Sequence, residues 1–140
     1  AACQVAMGVD GAKKMIEKAH KMDELNQYFY ADILEWHPPQ RYSIIHSMEV
    51  LYYIENPLKL VNTIYSKWLA KGGVFIFGID HYIENLPSIN WPTECGVNMN
   101  TQPISYWLNI MNVAGFNNIQ HWQTGKKNKW MGTLVILGEK

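Results

Sequence analysis

The sequence predicts an α/β fold: a mostly parallel sheet with helices on both faces, closed by a C-terminal antiparallel hairpin. Two observations carry this. Apolar runs at residues 5–9, 27–31, 42–46 and 74–79 alternate with stretches whose apolar residues recur at helical spacing. Several runs also end in acidic or polar residues, namely Asp10, Asp32, and His46 followed by Ser47. Open α/β sheets build a ligand crevice from such residues along their carboxyl edge.

Each element has its own warrant. Residues 5–9 close on Asp10-Gly11, a strand followed by a turn signal. From 12 to 22, Met15, Ile16, Ala19 and Met22 form one stripe, with Lys and Glu on the other face. Residues 27–31 are aromatic and β-prone. Pro38-Pro39 bars a helix after Asp32 and marks a loop before the strand at 42–46. Pro57 suits the first position of a helix capped by Asn56, with Leu58, Val61, Ile64, Tyr65, Trp68 and Leu69 on its apolar face. Lys71-Gly72-Gly73 is expected to end that helix and launch the strand at 74–79. That run does not alternate, so it reads as buried on both faces. Residues 80–102 hold no period and include Pro87, Trp91, Pro92 and Cys95, and unstructured segments of this length are often functional. Pro103 opens a helix carrying Trp107, Leu108, Ile110, Met111 and Ala114, and Gly115 closes it. Strands at 118–124 and 130–137 follow, too closely spaced for a crossover, and so antiparallel.

Composition sets the outer limits. The 140 residues fit one domain spanning 1–140, and 48% hydrophobic against 17% charged residues describes a globular chain. Twelve basic and twelve acidic side chains cancel, so charge supplies no attraction to nucleic acid or to an anionic membrane. No apolar run reaches the roughly 18–20 residues that span a bilayer, and the start carries no secretory signal. Cys3 and Cys95 lack metal-type spacing and read as reduced thiols, giving a cytoplasmic expectation with no metal. The chain lacks an initiator Met and begins almost inside a strand, as if cut upstream. Aromatic residues make up 13%, which suits either a Trp-rich core or an aromatic-lined pocket.

The run Ile44-Ile45-His46-Ser47-Met48-Glu49-Val50-Leu51-Tyr52-Tyr53-Ile54, the Gly72-Gly73 turn, Asp10 and the Gly115-Phe116 turn together resemble the class I S-adenosylmethionine-dependent methyltransferases. The resemblance implies a Rossmann-like fold and methyl transfer from S-adenosylmethionine to a small-molecule acceptor. It places Asp10, with Gly11 beside it, against the ribose diol, since a carboxylate accepts two hydrogen bonds. A helix cap is the plainer role for the same Asp. Asp32 matches the position that meets the adenine amino group, with the Ile33 N–H available to a ring nitrogen; an ordinary turn Asp is the alternative. Met15 and Ile33 would sandwich the adenine, although both also read as core. His46 and Ser47 would lie beside the methionine end.

Glu49 would neutralise a sulfonium or a substrate ammonium, or else be a solvated side chain in the first turn of a helix. His46 is a candidate base, against the plainer structural role of a strand-end histidine. The catalytic candidates are thus His46 and Glu49. Tyr52, His81, Tyr82, Trp91 and Glu94 are the acceptor-site candidates. Aromatic faces beside a carboxylate suit an amine through cation–π attraction, and Leu51-Tyr52-Tyr53 with the Trp-containing loop is similar to small-amine methyltransferases of the histamine type.

The family's Gly-rich turn, about 20 residues before the ribose acid, would fall ahead of Ala1. The resemblance therefore implies that the first strand and helix are missing from this chain and that the domain is incomplete at its N-terminus. In the family topology that strand lies between the strands at 5–9 and 42–46. Without it two inner edges lose partners, cofactor binding weakens, and a homo-oligomer supplying a strand in trans becomes one solution. Two other classes remain: a nicotinamide- or nucleotide-binding enzyme sharing the Asp10 logic, and a non-catalytic pseudo-methyltransferase used for cofactor binding or interaction.

Overall fold

The computed structural model describes residues 6–140; residues 1–5, with Cys3 and the start of the first expected strand, lie outside the described residues. The chain divides into two compact units, residues 1–39 and 40–140.

In the first unit, β1 (Met7–Asp10) and β2 (Gln27–Tyr30) pair in parallel, with Asp10 opposite Tyr30. The crossover between them is α1 (Lys13–Met22), which contacts both strands. Of its apolar stripe only Ile16 is buried, while Met15 is 55% exposed, so Met15 is not the core residue its spacing suggested. Asp23 organises the return turn. Its carboxylate accepts from the Leu25 N–H and the Tyr28 hydroxyl, and these bonds, with one from the Asn26 amide, hold its pKa down at about 2.

In the second unit, β3 (Tyr42–Met48), β4 (Leu69–Ile79), β5 (Asn117–Thr124) and β6 (Thr133–Glu139) form one sheet in the order β3-β4-β6-β5. β3 and β4 are parallel, and β6 runs antiparallel to both β4 and β5. The expected α/β sheet with its closing hairpin is present. Among the described residues β1 and β3 each have one paired edge. No described helix is long and apolar enough to cross a membrane.

The connection from β3 to β4 begins with a short 3-10 turn, Leu51–Tyr53, and continues in α2 (Pro57–Thr63). Asn56 caps α2 as expected, its Oδ1 accepting from the Lys59 N–H at 3.1 Å. The helix then widens into a π turn at Ile64–Trp68 and stops there. Lys71-Gly72-Gly73 does not end it, as the sequence had suggested. Those residues form an irregularity inside β4, whose pairing jumps from Tyr42–Leu69 to Ile44–Val74. Gly72 has φ +73, and a Cβ on Gly73 would lie 2.9 Å from the Ala70 carbonyl oxygen, so the detour needs both glycines. Arg41 closes the gap by donating to the Ser66 and Leu69 carbonyls.

Two further helices are α3 (Trp91–Cys95) and α4 (Ile104–Ala114). Leu60, Val61, Ile64 and Trp68 on the α2 side join Trp107, Ile110 and Met111 of α4 in one core. Phe75, Phe77 and Ile79 of β4 and Leu134 and Ile136 of β6 are fully buried in it, with the Trp107 ring edge-on to Phe77. Val74 and Ile76 on the other face of β4 are only half-buried, so burial alternates where residue type does not. Gly115 ends α4 in the left-handed region at φ +100.

Candidate active site

β3 runs two residues further than the apolar pattern indicated, so His46 and Ser47 sit inside the strand, paired with Ile76 and Phe77. His46 is exposed and Ser47 half-buried. The residue that ends the strand is Glu49. Its N–H donates to the Gly78 carbonyl, and its backbone takes φ +57, a left-handed conformation that a non-glycine residue adopts only under constraint. This rules out a solvated helical side chain, because the turn that follows begins at Leu51 and the Glu49 side chain folds inward. Its Oε2 accepts from the Tyr52 hydroxyl at 2.8 Å, while its Oε1 is shielded from solvent and has no hydrogen-bond partner.

Asp80 ends the adjacent strand, and its Oδ1 is likewise shielded and unpartnered. Burial raises the Glu49 pKa to about 7, the Asp80 charge adds to the rise, and hydrogen bonds from Tyr52 and the Asp80 backbone oppose it. Buried, unsatisfied carboxylate oxygens are unusual enough to mark a functional site when they meet backbone strain and a displaced titration.

An aromatic wall stands beside this pair. The Tyr52 ring is buried, packs on half-exposed Tyr53 at 4.4 Å and meets the His81 ring edge-on at 5.5 Å. His81 stacks with Trp91 at 6.2 Å, and Trp91 with Trp130 at 5.9 Å. Not all of these side chains face outward. His81 is fully buried, with Nδ1 on the Ser88 carbonyl oxygen and Nε2 on Thr101 Oγ1, and burial lowers its pKa, favouring neutral imidazole. Tyr82 is fully buried too, donating to the Gly132 carbonyl and accepting from the Gln123 amide. His81 is therefore framework behind Tyr52 and Trp91, and Tyr82 is tied to Gly132 and β5. Glu94, in α3, is exposed.

The segment from Asp80 to Gln102 has no period, yet it is firmly anchored. Asn85 donates to the Asp80 carbonyl and accepts from the Met131 N–H. Asn100 donates its amide to the Ile54 and Glu55 carbonyls, and its backbone N–H to the Tyr52 carbonyl at 2.7 Å. Glu84 caps α4 by accepting from the Ile104 N–H. Sequence reasoning passed over Asp80, Asn100 and Thr101. Asp80 carried a usable signal, since it ends an apolar run just as Asp10 does; Asn100 and Thr101 carried none.

The first unit holds its own cluster. An open groove of ≈ 220 Å³ is lined by Gly8, Val9, Asp10, Met15, Ile16, Ala19 and Tyr28. Asp10 is exposed at its rim, with Oδ1 accepting from the Ala12 N–H at 2.6 Å. That bond closes the turn ahead of α1, whose N-cap is Ala12 and not Asp10, and the Asp10 carboxylate keeps further acceptor capacity. Asp32 is exposed, accepting from the Leu34 N–H at 2.9 Å, as a turn Asp does; Ile33 is half-buried and Gly11 exposed. Exposed carboxylates ending two adjacent parallel strands, with an apolar groove beside one of them, fit the diol and exocyclic amine of an adenine nucleoside.

Comparisons with known proteins agree with this architecture. A family model described as a methyltransferase domain matches residues 1–121. None of the curated proteins matches the sequence. Among solved structures, the chain is similar to one from the Haloferax volcanii complex of a methyltransferase activator with a methyltransferase, at 18% identity and TM-score 0.82, covering 96% of this chain and 71% of that one. It is similar to the N-methyltransferase NodS of Bradyrhizobium japonicum bound to S-adenosyl-L-homocysteine, at 18% identity and TM-score 0.72, covering 98% and 67%. It is also similar to a Thermotoga maritima S-adenosylmethionine-dependent methyltransferase described as a possible histamine N-methyltransferase, at 19% identity and TM-score 0.76, covering 97% and 73%. At these identities the likeness is one of fold.

Proposed function

The chain belongs to the methyltransferase domain family, and from that premise we propose that it transfers a methyl group from S-adenosylmethionine to a small amine. One observation carries the choice of acceptor. Glu49 presents a shielded carboxylate oxygen without a partner next to the ring of Tyr52. An acidic group lacking a hydrogen-bond donor, beside aromatic faces, is complementary to an ammonium or amine nitrogen. Two of the similar structures, an N-methyltransferase and a possible histamine N-methyltransferase, favour the same acceptor class.

When bound, S-adenosylmethionine supplies an electrophilic methyl carbon on a sulfonium sulfur. Asp10 would take the ribose hydroxyls, Gly11 would allow close backbone approach, and Met15 would cover one side of the adenine. Asp32 and the Ile33 N–H would meet the adenine edge. His46 and Ser47 would flank the methionine portion, and His46 is exposed. Glu49 orients the acceptor nitrogen and takes its proton, a role suited to a carboxyl group that titrates near neutrality. Tyr52 and Trp91 would bound the acceptor, with His81 packed against both, Tyr82 buried against Gly132, and Glu94 at the exposed rim. Orientation supplies much of the rate in a one-step displacement, so a single modest base suffices.

Calorimetric titration of S-adenosylmethionine and S-adenosylhomocysteine, with Asp10→Ala as the control, tests the cofactor half. Loss of charge-assisted hydrogen bonds to the diol should weaken binding by roughly 10–100-fold. Unchanged affinity in the variant would remove Asp10 from the site. Methyl transfer from labelled cofactor to a panel beginning with histamine tests the acceptor half, and activity confined to oxygen acceptors would overturn it.

A further inference from the structure

We infer that Asp80 is a positioning residue for Glu49, holding a proton on it until the acceptor nitrogen arrives. The inference deepens the amine reading and draws its catalytic meaning from it. Its own basis is the geometry at the ends of β3 and β4.

Glu49 cannot swing away freely. Its backbone is tied to Gly78 across the sheet at 2.9 Å and takes the left-handed conformation at φ +57, and one carboxylate oxygen is held by Tyr52. Asp80 is fixed from behind, where the Asn85 amide donates to its carbonyl oxygen at 2.7 Å, and its backbone N–H lies against the Glu49 carboxylate. Two anchored acids thus stand on neighbouring strand ends, each with one shielded oxygen that lacks a donor. A proton on Glu49 removes one of the two charges, whereas two bare carboxylates would repel one another in a poorly solvated place.

The named side chains around the pair bring no cation to it. Tyr52 faces Glu49 and already gives it its hydroxyl hydrogen, and Tyr53 packs on Tyr52. On the Asp80 side stand Tyr82 and Glu84, neither of them cationic, while His81 is kept neutral by burial. An arriving amine nitrogen carries N–H donors for both orphaned oxygens. When it enters as an ammonium, it replaces the proton that the pair was holding and that proton leaves to solvent. When it enters neutral, Glu49 gives its held proton to solvent, the nitrogen attacks the methyl carbon, the carbon–sulfur bond breaks toward sulfur, and the product ammonium loses one proton to the freed Glu49 carboxylate. Asp80 makes Glu49 a better acceptor for that proton than an isolated carboxylate would be.

The test is a pH titration of the whole chain with 13C-labelled glutamate carboxyls, the Glu49 signal being assigned by its disappearance in Glu49→Gln. In the wild type Glu49 should titrate near 7. In Asp80→Asn its midpoint should fall measurably below that value, and Asp80→Ser, which removes the charge without adding an amide donor, should move it in the same direction. Asp80→Glu, which restores the charge, should keep the midpoint high. A Glu49 midpoint that stays near 7 in a folded Asp80→Asn or Asp80→Ser chain overturns the inference, and so does a fall in Asp80→Glu equal to that in Asp80→Asn. The titration needs no acceptor, so a failure of the histamine panel leaves its result intact and bears on the amine reading alone.

Discussion

Replacing Glu49 by Gln should make the protein more stable at alkaline pH and leave it nearly unchanged near pH 5. The folded chain keeps the Glu49 proton until about pH 7, whereas the unfolded chain releases it near 4.5. Between those values the folded state binds more protons, so wild-type stability falls as pH rises, and the loss is complete above the folded value. At 1.36 kcal/mol per pH unit, the rise from 4.5 to about 7 sets a ceiling of about 3 kcal/mol. The side chain is only half-buried, and solvent screening brings the expected figure to about 1–2 kcal/mol. A glutamine retains an acceptor for the Tyr52 hydroxyl, places an amide donor beside the unpartnered Asp80 oxygen, and does not titrate. Urea unfolding followed by the fluorescence of the six tryptophans, at pH 5 and pH 8.5, gives the difference between wild type and variant at each pH. Carboxylates remote from Glu49 titrate alike in both proteins and cancel, and Asp80, whose charge acts on Glu49, belongs to the difference being measured. A stability difference that is the same at both pH values would refute the shielded, proton-holding Glu49 described here.

Two further outcomes test the frame around the site. Thr101→Val removes the partner of His81 Nε2 and leaves that nitrogen buried, which should cost about 1–3 kcal/mol in urea unfolding and shift the Trp91 environment in near-UV circular dichroism. Asn56→Ala removes the cap of α2 and should lower stability by about 1 kcal/mol without altering cofactor affinity, as read by melting with and without S-adenosylhomocysteine.

The elements whose signals are local were legible from sequence. Asn56-Pro57 declares a helix start through its own side chain and ring, and Gly115 declares a helix end through its left-handed backbone. The Gly72-Gly73 pair misled for the same reason: two glycines next to a helical stripe look like a stop, and only the pairing with β3 shows that they form a detour within a strand. Met15 misled in another way, since spacing places it on the apolar stripe but cannot say how much of that stripe is covered. At the site, Asp10 and Glu49 were found because strand ends are where such folds bind ligands. Asp80 obeyed the same rule and was passed over, hidden in a stretch read as loop. Asn100 and Thr101 act across 46 and 20 residues of chain, on Ile54 and His81, and no short window of sequence records such a contact.

The anchoring of the segment after β4 bears on how such a protein changes its diet. Asn85, Ser88, Asn100 and Thr101 bolt that segment to the hairpin, to His81 and to the turn after β3, whereas residues 93–98 are exposed throughout. Fasteners and rim are therefore different residues. New rim sequences can be tried, by evolution or in a library confined to 93–98, while the bolts stay tight and Glu49 keeps its place.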